Sequence, residues 1–287
     1  STRETTLFPY TTLFRSLPSL RRVTSAGAPV PPAVVERMQA MLPEDGEIWT
    51  PYGATECLPV AVIEGRELRA TRAATEAGAG TCVGRAVAPN EVRIIAIGDR
   101  AIADWSEVRE CAVGEVGEIS VAGPTATDSY FERPQATALA KIRETLPDGR
   151  TRIVHRMGDV GYVDGEGRLW FCGRKSHRVE TADGPRYTEQ VEPIFNTHAA
   201  VRRSALVGVG KPGEQIPVLC IERQPQSPIS DDQLRAELRS LAQQFAHTRC
   251  LQHLLFHPGF PVDIRHNAKI GREILAAWAA TRVVDPR

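Results

Sequence analysis

Residues 20–56, LRRVTSAGAPVPPAVVERMQAMLPEDGEIWTPYGATE, contain the pattern that assigns this chain to a fold class. Residues 20–25 predict a buried strand, and a second short strand is predicted at 47–50. Between them the two prolines at 31–32 open a predicted helix that runs to about Leu42, with apolar residues at helical spacing. A strand followed by a helix and another strand is typical of α/β proteins.

Two further regions of regular structure follow this segment. Strands separated by glycine turns are predicted at 92–97, 117–122 and 169–172 and indicate a smaller β-subdomain. After Arg174 the pattern changes to α+β, with helices at 188–197, 231–247 and 272–280 and strands at 204–209 and 218–222. The helix at 231–247 has an apolar stripe along one face, and Ser230 precedes it as a candidate N-cap.

Composition and charge exclude several classes of function. The 287 residues are 42% hydrophobic and 24% charged, with 35 basic and 35 acidic side chains, so the clustered basic excess of a nucleic-acid surface is missing. No apolar stretch approaches the roughly 18 residues of a transmembrane helix. The six cysteines are scattered, without CxxC pairs. This spacing argues against a zinc site and against a disulfide framework, and it favours a cytoplasmic protein.

The first sixteen residues, STRETTLFPYTTLFRS, differ in character from the rest of the chain. Within them, residues 6–16, TLFPYTTLFRS, resemble the translation of a sequencing adapter. A signal or transit peptide is the alternative, but Pro9, Tyr10 and three threonines interrupt the apolar stretch that a signal peptide needs. We therefore predict that 1–16 is a non-native leader and that the chain is truncated at its N-terminus.

Five short motifs follow one another along the chain. They are SAGAP at 25–29, YGATE at 52–56, GEI at 117–119, RMGD at 156–159 and VDIRHNAKI at 262–270. In this order they resemble the adenylate-forming superfamily of acyl- and aryl-CoA ligases, peptide-synthetase adenylation domains and luciferases. The resemblance implies the C-terminal part of a large α/β AMP-binding domain, with its β-subdomain, at 17–173. It also implies a small, mobile α+β domain at 174–287.

The resemblance implies an ATP site around the first two motifs. A base stacked on an aromatic ring is stabilised by roughly 1–3 kcal/mol, and Tyr52 would provide that ring beside a backbone of small residues. Without the neighbouring motif, a tyrosine packed on a turn would be the simpler interpretation. The implied cofactor-binding residues in these motifs are Gly27, Ala28, Pro29, Tyr52 and Gly53.

Two residues that follow directly are implied to act on the phosphates. The hydroxyl of Thr55 would bind the α-phosphate, and the carboxylate of Glu56 would hold Mg²⁺, which prefers hard oxygen ligands. A lone loop glutamate is more often a solvated charge, and here the resemblance reverses that expectation. Both residues are therefore candidate catalytic residues, and Glu56 is the candidate metal ligand.

Three later residues complete the implied site. Asp159 corresponds to the acid that binds the ribose hydroxyls, and Arg174 to the arginine that reaches ribose or phosphate. Lys269 corresponds to the catalytic lysine that bridges the substrate carboxylate and the α-phosphate. Ser176 occupies the hinge position, where relatives usually have Asp or Lys. The family's phosphate loop, rich in Ser, Thr and Gly, is absent from this chain, so we expect the chain alone to be inactive.

Segments 50–60, 175–188 and 262–269 are most similar to the β-lactone synthetases of bacterial olefin biosynthesis. This implies adenylation of a long-chain 2-alkyl-3-hydroxy acid and displacement of AMP by its own 3-hydroxyl, with other enzymes of that pathway as possible partners. His177 and His266 are candidate proton acceptors, although surface histidines are the simpler interpretation of both. Two alternatives stay open: a long-chain acyl-CoA or acyl-AMP ligase, and an inactive remnant that only binds nucleotide.

Overall fold

A computed structural model of the chain describes residues 16–27, 30, 32–262 and 269–283. Within these ranges the strands form a nine-stranded sheet, a two-stranded hairpin and a three-stranded sheet, with helices packed around them. This architecture confirms the predicted α/β class. None of the described helices combines the length and apolar character needed to span a bilayer.

The segment at 20–56 forms the predicted strand–helix–strand unit. Strand β1 (Arg22–Thr24) pairs in parallel with β2 (Glu47–Ala54), and helix α1 (Pro32–Gln39) connects them. The prediction of a buried first strand is wrong, because β1 lies at the edge of the sheet with only β2 beside it and is partly exposed. Strand β2 is longer than predicted and includes the first three residues of the YGATE motif.

The next elements were not predicted. Strand β3 (Cys57–Glu64) folds back on β2, so that Thr55 and Glu56 form the two-residue turn of a β-hairpin. Helix α2 (Gly65–Glu76) then leads to β4 (Thr81–Ala86). The helix was missed because it lacks an apolar stripe: its buried residues are only Gly65 and Thr71.

The strands predicted as a separate β-subdomain continue the same sheet. They are β5 (Glu91–Ile95), β6 (Gly117–Ala122), β7 (Lys141–Thr145), β8 (Thr151–Val163) and β9 (Leu169–Arg174). The strand order in the sheet is β1-β2-β3-β4-β9-β8-β6-β5, and β7 pairs with one part of β8. Helix α3 (Pro134–Ala140) precedes β7. The pairing of β4 with β9 joins these strands to β1–β4, so the predicted β-subdomain and the rest of the predicted 17–173 region share one hydrogen-bonded sheet.

The rest of the chain has the predicted α+β pattern. A hairpin of β10 (Val179–Thr181) and β11 (Gly184–Arg186) comes first, and the three-stranded sheet has the order β12-β13-β14. Those strands span Val201–Val209, Ile216–Arg223 and His253–Phe256, and the helices are α4 (Thr188–Phe195), α5 (Asp231–Gln243) and α6 (Arg272–Ala280). The bounds of α6 match the prediction. The Ser230 N-cap is confirmed by a 3.2 Å hydrogen bond that its Oγ accepts from the backbone N–H of Gln233.

Candidate functional site

Three of the predicted site residues, which lie on β2, β8 and β9 of the nine-stranded sheet, contact one another. The hydroxyl of Tyr52 donates a 2.6 Å hydrogen bond to Oδ2 of Asp159, although the two residues are 107 positions apart. Arg174 donates to Oδ1 of the same carboxylate, also at 2.6 Å. Asp159 and Arg174 are register partners on β8 and β9, so the sheet itself brings them together.

A bulge in β8 sets the direction of Asp159. On β6 Glu118 and Ser120 are two positions apart, whereas their partners on β8, Val160 and Arg156, are four positions apart. Gly158 lies inside this irregular segment with φ of +66°, a left-handed conformation that favours glycine. Bulges of this kind re-aim side chains and are frequent beside active sites.

Burial controls the protonation of this group. It raises the pKa of Asp159, with the neighbouring Arg174 guanidinium acting in the opposite direction. Burial, followed by the Asp159 charge, raises the pKa of Tyr52 well above its ordinary value, so the phenol remains a donor. Asp159 is 3% exposed, whereas about half of the Arg174 side chain is exposed and available to a ligand.

The predicted base-stacking slot is only partly described. The Tyr52 ring is half-buried, 5.8 Å from the ring of Phe171, and its hydroxyl is bound to Asp159. Gly27 has φ of +102°, and apart from its chain neighbours no heavy atom of the described residues lies within 4 Å of the point that a Cβ would occupy. Ala28 and Pro29 lie outside the described residues. Stacking between Tyr52 and a base therefore stays a prediction.

A second cluster surrounds Glu56 at the hairpin turn. Its Oε1 accepts a 3.0 Å hydrogen bond from the hydroxyl of Tyr130. Partial burial alone would raise the pKa of Glu56, but hydrogen bonds from its own backbone N–H and from Tyr130 outweigh burial and lower it. The carboxylate is therefore ionised at neutral pH. Thr55, the other turn residue, is exposed.

Two buried bases lie behind this carboxylate. The ammonium group of Lys141 donates to the hydroxyl of Thr127 at 3.0 Å and also to its carbonyl oxygen. Burial lowers the pKa of Lys141, with Glu56 acting in the opposite direction. The imidazole Nδ1 of His155 lies 3.2 Å from the carbonyl oxygen of Ala140. The sequence analysis assigned no role to Lys141 or His155, since neither lies within the five motifs.

A cavity of about 230 Å³ connects the Glu56 cluster with Arg174. It is lined by Ala54, Glu56, Glu118, Tyr130, Leu139, Ala140, His155, Arg156, Met157, Gly158, Arg174 and Lys175. The GEI, RMGD and YGATE motifs thus share one concave surface. Their order along the chain indicated a common site, but their distances apart did not show which side chains would face each other.

Part of the cavity wall is a group that we call the charged network, formed by Glu118, Arg156 and Lys175. Glu118 is 1% exposed and its carboxylate contacts Arg156 Nη2 at 2.6 Å and Lys175 Nζ at 2.9 Å. Lys175 also donates to the carbonyl oxygen of Gly98 at 3.0 Å. Glu118 is the glutamate of the GEI motif, and these contacts give it a structural role. Lys175 precedes the predicted hinge residue Ser176, so its bond to Glu118 attaches that point of the chain to the large sheet.

Lys269 is not among the residues that line the cavity. It is exposed and lies two residues before Gly271, the N-cap of α6. Arg272 of that helix donates a 2.9 Å hydrogen bond to Oε2 of Glu192 on α4. Both residues lie in the α+β part of the chain after residue 174, which we call the C-terminal unit. Ser176 is the middle residue of a short 3₁₀ turn. Within the described ranges Lys269 therefore has no hydrogen bond or ion pair with another predicted site residue.

The two histidines considered for proton transfer differ in their surroundings. His177 lies 3.8 Å from Glu273, and burial, followed by the Arg272 charge, lowers the pKa of its imidazole. It faces a groove formed with α6 rather than the cavity beside Glu56. His266 lies outside the described residues.

The donor set suits a magnesium nucleotide. Among the described residues no group of three or more His, Cys, Asp or Glu side chains could enclose a metal ion. Mg²⁺ is usually held by one or two carboxylates together with substrate phosphates and water, rather than by an all-protein cage. The ionised Glu56 and the exposed hydroxyl of Thr55 match that requirement, with the Arg174 cation nearby on the cavity wall.

Comparison with protein families and curated proteins gives consistent matches. The model of the AMP-binding enzyme family matches residues 4–131. The chain is 69% identical over 272 residues to an olefin β-lactone synthetase of Stenotrophomonas maltophilia, covering 94% of this chain and 49% of that protein. It is 67% identical to the olefin β-lactone synthetase of Xanthomonas campestris, over 93% of this chain and 48% of that protein. The chain thus spans about half the length of the curated relatives it matches.

More distant relatives show the same fold. A long-chain-fatty-acid–CoA ligase of Salmonella typhimurium is 27% identical over 75% of this chain and 34% of its own length. An amide bond synthetase from Marinactinospora thermotolerans superimposes with a TM-score of 0.67 at 24% identity, covering 90% of this chain and 47% of that one. The o-succinylbenzoate CoA synthetase of Bacillus subtilis, in complex with an acyl-adenylate, gives 0.65 at 22% identity, covering 91% and 47%.

Proposed function

Since this chain belongs to the AMP-binding family of adenylate-forming enzymes, we propose that its protein uses ATP to convert a long-chain 3-hydroxy acid into a β-lactone. The observation that supports adenylation is the shared cavity, on which the ionised Glu56 faces Arg174 with Asp159 beside it. The choice of the lactone branch rests on the 69% identity to an olefin β-lactone synthetase.

The cavity residues divide the binding of ATP between them. We assign the ribose hydroxyls to Asp159, whose carboxylate can accept two hydrogen bonds, and the ribose or phosphate to the half-exposed Arg174. Tyr52 and the backbone of Gly27 and Gly53 would border the base. Thr55 would donate its hydroxyl to the α-phosphate, and Glu56 would hold Mg²⁺. When bound, that ion neutralises phosphate charge as the acid attacks.

Lys269 is assigned to the adenylation step itself. A cation between the substrate carboxylate and the α-phosphate lets two anions meet, and removing such a stabiliser typically lowers the rate about 10²–10³-fold. Because Lys269 is exposed and does not line the cavity, this role requires the unit after residue 174 to move about the Ser176 hinge. The predicted division at 173/174 is part of this proposal.

Ring closure follows adenylation. The 3-hydroxyl oxygen of the bound substrate attacks the acyl carbon and the bond from that carbon to the phosphate oxygen breaks. AMP leaves with the electron pair, and the proton of the hydroxyl is released to solvent. The protein's contribution is to hold the hydroxyl beside the mixed anhydride, since a high effective concentration offsets the strain of a four-membered ring. Excluding water also protects the anhydride from hydrolysis.

The first test uses the complete protein, including any sequence that flanks this chain. It is incubated with ATP, Mg²⁺ and a 2-alkyl-3-hydroxy fatty acid without CoA, and the lipid product is analysed by mass spectrometry. A product that has lost one water, formed together with AMP, supports the β-lactone synthetase. A thioester that appears only after CoA is added supports the acyl-CoA ligase alternative, which the Salmonella relative favours. Nucleotide binding without turnover supports the inactive remnant.

A matched pair of variants tests the assignment of Lys269. In Lys269→Ala we expect pyrophosphate exchange to fall about 10²–10³-fold while ATP affinity changes little. The control is Lys211→Ala, another exposed lysine in the C-terminal unit, which should exchange at the rate of the unaltered protein. Equal rates in both variants would remove Lys269 from the mechanism.

A further inference from the structure

The cavity contains a buried base to which neither the motifs nor the proposed mechanism assigns a role. His155 is 2% exposed and lines the cavity with Glu56, Tyr130 and Arg174. It lies on β8, four residues before Asp159, so it is placed by the same strand that holds the predicted ribose ligand.

One hydrogen bond determines what the imidazole can offer. Nδ1 of His155 is 3.2 Å from the carbonyl oxygen of Ala140. A carbonyl oxygen only accepts, so Nδ1 has the proton and Nε2 has a lone pair. Within the described residues Nε2 has no hydrogen-bond partner. Because the imidazole lines the cavity and Nε2 is not fully enclosed, this acceptor is open to a donor that arrives with a ligand.

Burial and a nearby positive charge keep this imidazole neutral. Burial, followed by the nearby Lys141 ammonium, lowers the pKa of His155 to about 4. A neutral imidazole with its lone pair toward the ligand cannot bind a phosphate or carboxylate oxygen, which are themselves acceptors. The group that fits is therefore an O–H or N–H donor.

We propose that Nε2 of His155 accepts a hydrogen bond from the 3-hydroxyl of the substrate and so makes His155 a specificity-determining residue for hydroxylated acids. This rests on the proposed function, because the hydroxyl must lie beside the acyl phosphate that Thr55 and Glu56 would hold. With its proton directed to Nε2, the hydroxyl oxygen keeps a lone pair for the acyl carbon. A buried site that binds a substrate hydroxyl also rejects analogues that lack it.

The experiment compares two acids in ATP–pyrophosphate exchange by the complete protein. One acid has the 3-hydroxyl and the other is its 3-deoxy analogue, and the selectivity is the ratio of their kcat/KM values. In His155→Asn the amide still donates to Ala140 but the acceptor at Nε2 is lost. We expect selectivity to fall roughly 10- to 100-fold, entirely through the hydroxy acid.

The matched control is His198→Asn. His198 lies in the C-terminal unit, where its Nε2 contacts Glu237 at 2.8 Å, and its replacement should leave selectivity unchanged. An unaltered ratio in His155→Asn overturns the inference. So does an equal loss with both acids, because that result indicates a structural role for the imidazole.

A third acid makes the test independent of protein folding. The 3-methoxy analogue keeps the oxygen but cannot donate, so the unaltered protein should treat it like the deoxy acid. Turnover of the methoxy acid at the rate of the hydroxy acid contradicts the inference even if His155→Asn does not fold. Failure of the unaltered protein to exchange with any acid overturns the proposed function, and with it the assignment of His155.

Discussion

The charged network and the core of the C-terminal unit are stabilised in opposite ways. Glu118 and Arg156 are buried ions on strands of the large sheet, and Lys175, in the turn that follows, is partly buried. The C-terminal core, which we call the apolar cluster, includes Phe195, Leu219 and Leu234, none of them exposed. Burying a charge costs free energy that only intact partners offset, whereas burying apolar area adds stability side chain by side chain. The stability of the site therefore depends on each buried charge keeping all its partners, and that of the C-terminal core on the total apolar area it buries.

The largest loss should follow from breaking the charged network. Glu118→Ala leaves Arg156 and Lys175 without their carboxylate, which typically costs about 3–5 kcal/mol in the free energy of unfolding. Urea unfolding of the chain measures the loss. Hydrogen exchange should increase in β6 and β8 while the apolar cluster keeps its protection. Glu118→Gln, which keeps the shape and some hydrogen bonds, should lose less, and equal losses would mean that charge is unimportant there.

Truncation in the apolar cluster should give the reverse pattern. Leu234 is fully buried on α5, and Leu234→Ala should cost about 2–5 kcal/mol through lost transfer free energy and the cavity that remains. Exchange should increase around α5 and β13 and stay slow in β8. Leu241→Ala on the same helix is the control, because Leu241 is only partly buried and should cost less. Loss of protection in both units would show that they unfold together.

The pH dependence of stability distinguishes the contribution of a buried charge from that of buried apolar side chains. Hydrogen bonds from Arg93, together with those from Arg152, lower the pKa of Glu144 from 4.5 to about 2. Burial acts in the opposite direction but is outweighed. A carboxylate with a lowered pKa stabilises the fold above its unfolded pKa, and this stability is lost as the pH falls toward 2. Glu144→Gln should therefore cost up to about 3 kcal/mol at pH 7 and almost nothing near pH 2.

This pH profile needs a reference. The loss in Leu234→Ala should be the same at pH 7 and at the lowest pH where the chain still folds, because no titrating group is removed. Denaturant midpoints at several pH values for both variants provide the measurement. A Glu144→Gln loss that is independent of pH would contradict the ionic role of this residue.

The smallest effect concerns a single cap in the C-terminal unit. Ser230→Ala removes the acceptor of the 3.2 Å bond from the Gln233 backbone N–H. We expect a cost of about 1 kcal/mol, measured as a lower denaturant midpoint. Ser230→Asp keeps an acceptor at the same position and should restore the stability. If neither substitution has an effect, α5 is held by its apolar face alone.

Elements of the C-terminal unit were predictable because their signals are local. Helix α6 was predicted with its observed bounds, and α5 with its N-cap, since an apolar stripe and a capping residue lie within one helix. Strand β8 was missed for the opposite reason. Its segment TRIVHRMGDVGYV contains charged residues at positions that pack inward, and their partners come from other strands. No local pattern distinguishes such a buried charge from a solvated one.

The α/β class, the order of the five motifs and the residue types available for nucleotide chemistry could all be predicted from the sequence alone. Which of those residues contact each other depends on the tertiary structure. Tyr52 and Asp159 are 107 residues apart, and Arg156 lies 38 residues from Glu118, so each pair depends on strand order and register. Periodicity records which face of an element is apolar, whereas the partner of a buried polar group is set by the sheet that surrounds it. That is why His155 acquired a role only once its neighbours on the cavity wall were known.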